Sequence, residues 1–232
     1  MLRDASWIVN SANLEPEVRR AFVLVLDLLK PATFWDVGAN IGFYSWLVRR
    51  SPSVRQVVMF EPDPVNFKLI ERTIRKNALS DCKAMNVAIS DRCGDAAFLM
   101  DRASGATGSL EMASDLENKH SLHHAYQMGE TIPCRTATVD GLVADGVALP
   151  DFIKIDVEGT EHLVIAGAKS CLAHHRPTMI VETVNASHVR EIRNYGYRVF
   201  RIDPCNLLFV HPEHGGNMTR IEYAFPTAVD GN

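Results

Sequence analysis

Two hydrophobic periodicities alternate along this chain. Between residues 15 and 30, apolar side chains recur at Val18, Phe22, Val25, Leu26 and Leu29. That is the spacing of one helical face, and Pro31 ends it. Residues 33–37 then read as a buried strand, 38–42 as a turn and 43–50 as a helix. The alternation repeats with a strand at 56–60, a helix at 64–77 and a strand at 83–89, and Pro64 suits a first helical turn because its φ is fixed. Strand–helix units in series predict a parallel sheet. Farther on, 96–100 and 133–137 read as strands. They are followed by a strand at 152–157, a helix at 160–172, a strand at 178–183 and a helix at 186–195. Two closing strands, 197–202 and 207–210, flank the turn residues Asp203-Pro204-Cys205-Asn206 and predict an antiparallel hairpin.

Between residues 101 and 131 the periodicity gives way to Ser, Gly, His and charge. A stretch of that length is unusual inside a compact domain unless it is functional or disordered, which makes it a candidate lid. A chain of 232 residues buries a large core without cross-links. It is expected to form a single domain: a helical addition (1–32), a core (33–210) and a tail (211–232). With 47% hydrophobic and 22% charged residues it is ordinary for a globular protein. No window reaches the roughly 18 uninterrupted apolar residues of a membrane span.

The start, Met1-Leu2-Arg3-Asp4, carries an acid where a signal peptide is basic, and no apolar segment with a cleavage site follows, so no export is expected. The cysteines Cys82, Cys93, Cys134, Cys171 and Cys205 are odd in number and form no CxxC pair. That argues against a disulfide framework or a zinc ribbon and fits reduced thiols in a cytoplasmic protein. A net charge of -4 offers no general attraction to nucleic acid, and Arg72, Arg75 and Lys76 read as a solvated helix face.

Asp36-Val37-Gly38-Ala39-Asn40-Ile41-Gly42 sits where the first strand gives way to a helix, at the sheet edge where open α/β folds bind ligands. Gly38 and Gly42 allow a tight turn and close approach of the backbone to a ligand. Glu61 ends the second strand, where its carboxylate is placed to accept from both hydroxyls of a ribose. The Gly38–Glu61 separation matches the roughly 20 residues between a nucleotide-binding turn and its ribose acid. The turn reads GxNxG, with Asn40 in the middle, whereas a dinucleotide site needs GxGxxG for the pyrophosphate. An adenosine-type ligand without a pyrophosphate is therefore expected, on a Rossmann-like α/β fold: a doubly wound, mostly parallel sheet with an antiparallel C-terminal hairpin.

From about residue 33 to 210 the sequence resembles the FkbM-type family of class I S-adenosylmethionine-dependent methyltransferases. The matching pieces are the stretch from Asp36 to Ser45, then Phe60-Glu61-Pro62-Asp63-Pro64 with Asn66-Phe67. Asn86-Val87-Ala88-Ile89-Ser90 and Ile153-Lys154-Ile155-Asp156-Val157-Glu158-Gly159 complete the set. The resemblance implies an enzyme that uses S-adenosylmethionine to O-methylate a hydroxyl of a sugar or secondary metabolite. It implies that Asp36, Gly38, Asn40, Gly42 and Tyr44 wrap the amino acid part of the cofactor. Glu61 would hold the ribose with Pro62 and Asn66 beside it, the stretch through Ala88 and Ser90 would lie by the adenine, and Asp156 would lie near the methionine portion. Within the long loop, Ser109 falls where the family reaches toward its substrate.

Asp156 and Glu158 follow the fourth strand and Glu182 closes the fifth, so all three are expected at the same sheet edge as Gly38. They offer either a base for the acceptor's hydroxyl proton, with Glu158 in that role, or oxygen ligands for a divalent cation that positions that hydroxyl. Glu161, and Glu158 with it, also suit the positive end of the helix that follows. Glu161-His162 falls short of the HxxEH zinc motif because Glu158 stands where its first histidine belongs. His120, His123 and His124 read as solvated loop residues. The competing functions are methylation of RNA or protein, a dehydrogenase, which lacks its middle glycine, and a non-catalytic nucleotide-binding module. The N-terminal helix and the tail are candidates for substrate choice or for pairing between chains.

Overall fold

A computed structural model describes residues 15–100, 108–110, 129–214 and 218–228. Helix α1 (Pro16–Leu29) leads into β1 (Thr33–Val37), α2 (Phe43–Val48), β2 (Gln56–Phe60), α3 (Pro64–Lys76) and β3 (Cys82–Met85). Then come β4 (Ala88–Ile89), β5 (Gly94–Met100), β6 (Ser109–Leu110), β7 (Glu130–Ala137), α4 (Val139–Ala144), β8 (Phe152–Ile155) and α5 (Glu161–Ala166). A π-helical turn (Cys171–His175), β9 (Thr178–Glu182), α6 (Ala186–Arg193), β10 (Arg198–Arg201), β11 (Asn206–Val210), a 3₁₀ turn (Pro212–His214) and α7 (Met218–Ala224) follow.

The main sheet has seven strands in the order β10-β11-β9-β8-β1-β2-β3. Strands β1, β2, β3, β8 and β9 run parallel, and β11 inserts antiparallel between β9 and β10. The Rossmann-like doubly wound sheet with its antiparallel hairpin is therefore present. Strand order reverses between β1 and β8, which opens the crevice where such sheets bind ligands.

Alternate side chains of each strand enter opposite cores. Trp35, Val37, Val58, Phe60, Ile153 and Val181 pack under α4, α5 and α6. Phe34, Val57, Met59, Phe152 and Ile180 pack under α1, α2 and α3. On that second face Phe22 of α1 stacks on Tyr44 at 4.4 Å between ring centroids and meets Phe152 at 5.0 Å. From the tail, Ile221 and Phe225 join the same core, and Arg201 donates its N–H to the Pro226 carbonyl at 2.9 Å.

Several expected elements change. The strand expected at 83–89 divides, because Asn86 turns aside and donates its side-chain amide to the carbonyls of Glu61 (2.7 Å) and Pro62 (2.9 Å). Beyond it β4 pairs with β7 in a second sheet of four strands, β4-β7-β5-β6. The segments expected at 96–100 and 133–137 extend to become β5 and β7, an antiparallel pair in that sheet. The helix expected at 160–172 ends at Ala166. There the chain is pressed against Ser90, and a Cβ on Gly167 would stand 2.1 Å from the Ser90 carbonyl oxygen.

The starts of α3 and α4 are capped as their sequences suggest. Asp63 accepts from Val65 N–H at 2.7 Å ahead of Pro64, and Thr138 accepts from Gly141 N–H at 2.9 Å. Among the described residues, no helix is long and apolar enough to cross a membrane.

Candidate functional site

A cavity of about 330 Å³ opens at the carboxyl edge of β1, β2, β8 and β9, within the roughly 300–1,000 Å³ typical of small-molecule sites. Of the residues singled out from sequence, Asp36, Gly38, Asn40, Tyr44, Glu61, Pro62, Asn66, Ala88, Asp156, Glu158 and Glu182 line it. The second sheet closes one side with Phe98, Gly108 and Leu110.

Gly38 turns the chain at φ 80°, and a Cβ there would stand 1.9 Å from the Asp156 carbonyl oxygen. The close approach that demands glycine is thus to the neighbouring strand end. Gly42 lies outside the lining; it starts α2 at φ 83°, with the Trp46 indole 2.8 Å from where a Cβ would be. Ser90 also lies outside it, nearly buried, with its N–H on the Ala137 carbonyl at 2.8 Å.

Glu61 bridges the two halves of the turn region. Its Oε2 accepts from Asn40 N–H at 2.7 Å and its Oε1 from Asp63 N–H at 2.9 Å. Burial pushes this carboxyl up to about 8 against those two bonds, which favour the charged form. A carboxylate offers about four acceptor positions, so capacity for two more donors remains.

Asp36 and Lys154 are register partners on adjacent strands, on the face covered by α1. Asp36 accepts from Ser45 Oγ at 2.6 Å and Ser45 N–H at 3.1 Å, and burial raises it to about 6. Lys154, 1% exposed, sets its Nζ 2.9 Å from Asp156 Oδ2 and 5.0 Å from the Tyr44 ring centroid. Burial alone would lower its pKa, yet the charges of Asp156, Glu15 and Glu182 outweigh that and hold it as an ammonium above its ordinary range. Tyr44 in turn donates its hydroxyl to Glu15, which stands at the start of α1 and also lines the cavity.

Asp156, Glu158 and Glu182 bring carboxylate oxygens within 4.8 Å of one another. The charge of Asp156, then burial, pushes Glu182 up to about 9, and the two carboxyls share a hydrogen bond. Glu158 sits at φ 53°, in the left-handed region, two residues ahead of the Thr160 cap of α5. It therefore lies outside the helix's first turn, whereas Glu161 is buried there and accepts from Gly159 N–H at 2.9 Å. Ser109 is buried and does not line the cavity; its Oγ donates to the Glu158 carbonyl at 2.8 Å and so anchors that bend. His120, His123 and His124 lie outside the described residues.

Sequence reasoning missed two lining residues of consequence, Glu15 and Lys154. A lysine at an inward position of a buried strand was the available signal for the second; for Glu15 no local pattern existed.

The sheet order and the crevice define a class I methyltransferase-type fold. A solved FkbM methyltransferase from Methylobacillus flagellatus superposes with a TM-score of 0.52 at 17% identity, over 78% of this chain and 44% of that one. A methyltransferase from Geobacter sulfurreducens gives 0.51 at 16% identity, over 89% and 86%. The family described as "Methyltransferase FkbM domain" matches residues 36–199, and the chain belongs to that family.

Similar curated proteins include methyltransferase sdnD of Sordaria araneosa, 25% identical over 67% of this chain and 67% of its own length. Hexuronic acid methyltransferase AglP of Haloferax volcanii is 26% identical over 72% and 61%. The 2-O-methyltransferase NoeI of Sinorhizobium fredii is 26% identical over 75% and 72%. The chain thus spans less than two thirds of AglP and under half of the Methylobacillus chain.

Proposed function

We propose that this protein transfers a methyl group from S-adenosylmethionine to a hydroxyl of a small molecule, a sugar or a secondary metabolite. The observation that carries the reading is Glu61, a buried carboxyl at the end of β2 that is tied to the β1 turn through Asn40 and retains acceptor capacity toward the cavity. That arrangement suits the paired hydroxyls of a ribose. Val87, Ala88, Ile89 and Phe98 supply an apolar surface for a base, and Asp36 and Asp156 lie across the β1–β8 crevice, where an ammonium group is welcome. The residues present therefore fit the cofactor.

S-adenosylmethionine supplies a methyl group on a sulfonium, so the methyl–sulfur bond breaks with its electron pair left on a neutral thioether while an oxygen–methyl bond forms. What remains for the protein is to orient the acceptor, exclude water and take the hydroxyl proton. Glu182 keeps a proton at neutral pH, which leaves Glu158 to receive the acceptor's. Lys154 fixes Asp156 and offsets part of the negative charge around it. A divalent cation held by Asp156, Glu158 and Glu182 is the second reading, since their oxygens converge. Against it stands the Lys154 ammonium, 2.9 Å from Oδ2 of Asp156.

The likeness to AglP and NoeI, named for a hexuronic acid and for 2-O-methylation, supports a sugar hydroxyl as acceptor. The absence of a net positive charge supports a small acceptor over RNA. The test is isothermal titration with S-adenosylmethionine, S-adenosylhomocysteine and NAD, repeated on Glu61→Ala. Binding of the two adenosyl compounds, lost in the variant, supports the reading; binding of NAD alone overturns it.

A further inference from the structure

Among the described residues, seven carboxyl groups and one ammonium line the cavity. The ammonium, Lys154, is 1% exposed and already committed to Asp156. Four of the acids, Glu15, Asp156, Glu158 and Glu182, gather around Lys154, on the opposite side of the β1 turn from Glu61. The pieces of the second sheet that face this space, Phe98, Gly108 and Leu110, carry no charge.

We infer that the acceptor is a neutral or cationic hydroxyl compound, and that carboxylated or phosphorylated acceptors are turned away by like charge. This rests on the methyl-transfer reading above. An anion brought into this space loses its hydration and meets the carboxylates of Glu15, Asp156 and Glu158, beside the protonated Glu182, with no uncommitted cation among the described lining residues. An ammonium or a neutral polyol meets acceptors for its N–H or O–H groups. Selectivity of this kind comes from repulsion as much as from attraction, and salt weakens it only in part because the groups are sheltered from solvent.

Three probe sugars that differ in one substituent test the inference: glucose, glucosamine and glucuronate. Each is titrated by ligand-observed NMR against protein loaded with S-adenosylhomocysteine, and each is then offered as an acceptor with S-adenosylmethionine. The expected result is that glucose and glucosamine bind at least about tenfold more tightly than glucuronate, a gap of about 1.4 kcal/mol or more. Glu15→Gln, which keeps an acceptor for the Tyr44 hydroxyl, narrows the gap. Raising the salt concentration narrows it in the unaltered protein as well, which keeps the test valid if the variant does not fold. Equal binding of the three sugars, absence of binding by all of them, or a preference for glucuronate overturns the inference. Failure of the protein to take up S-adenosylhomocysteine in the loading step strikes instead at the methyl-transfer reading.

Discussion

Asp36 and Lys154 stand side by side in a row of the sheet, flanked by Met59 and Ile180. Two ionisable side chains in such a row are tolerated because each is held: Asp36 by Ser45, Lys154 by Asp156 and the Tyr44 ring. Among the described residues, Glu61 has no cation of that kind beside it, and its pKa near 8 has a consequence for binding. Two ribose hydroxyls donate best to the ionised carboxylate, so binding below about pH 8 must release the proton that Glu61 carries. The affinity for S-adenosylhomocysteine is therefore expected to rise between pH 6 and 8 and then level off. Calorimetry at pH 7 in buffers of different ionisation enthalpy should register proton release, and a pH-independent affinity without release would refute this role for Glu61. For the base, Glu158→Gln is expected to abolish turnover while leaving cofactor affinity in place; full activity would remove Glu158 from the mechanism.

At the scale of elements, α1 lies before the matched family segment yet supplies Glu15 to the cavity and Phe22 to the stack on Tyr44. Phe22 is fully buried, so Phe22→Ala is expected to cost about 3–5 kcal/mol of stability, read by urea unfolding. At temperatures where the variant is still folded, it should also bind the cofactor more weakly than the unaltered protein, because Tyr44 loses its support. Strand β6 reaches the site differently, through the Ser109 hydroxyl on the Glu158 carbonyl. Ser109→Ala is expected to cost only about 0.5–1.5 kcal/mol of stability. If Ser109 holds Glu158 in place, kcat falls while cofactor affinity is unchanged; a KM effect alone would point to acceptor contact.

For the whole molecule, the raised carboxyls set a pH dependence. Asp36, Glu61 and Glu182 have folded-state values of about 6, 8 and 9 against ordinary values near 4. The folded protein binds protons that the unfolded chain has released, so their contribution is full below about pH 4 and is lost as pH rises through those values. Asp81 acts in the opposite sense: its hydrogen bonds from Arg49, at 2.6 and 2.9 Å, lower its pKa, and that contribution disappears in acid. Thermal unfolding of the ligand-free protein should therefore show a maximum on the acidic side and a decline from about pH 5 to 9, shallower below about pH 8 in Glu61→Gln. S-adenosylhomocysteine at 100 times its Kd should add about 2.7 kcal/mol.

Periodicity in the sequence determined the order of strands and helices, because residues alternating at two and at three to four are a direct record of which side chains must leave water. The β1 turn and Glu61 were legible for a related reason: a left-handed glycine and an acid at a strand end are local requirements of the backbone and of one ligand group. The break at Asn86 and the second sheet were not legible, since a two-residue strand such as β4 has too few positions to show a period and is fixed by its partner β7. Nor was the supporting place of Ser109, which depends on a contact 49 residues away. The tertiary structure alone decided that Gly38 makes room for a neighbouring strand, that Glu15 joins the cavity, and that Lys154 is the ammonium in the midst of the acids. Each depends on distances between segments remote in the chain, and hydrophobic patterning carries no record of those.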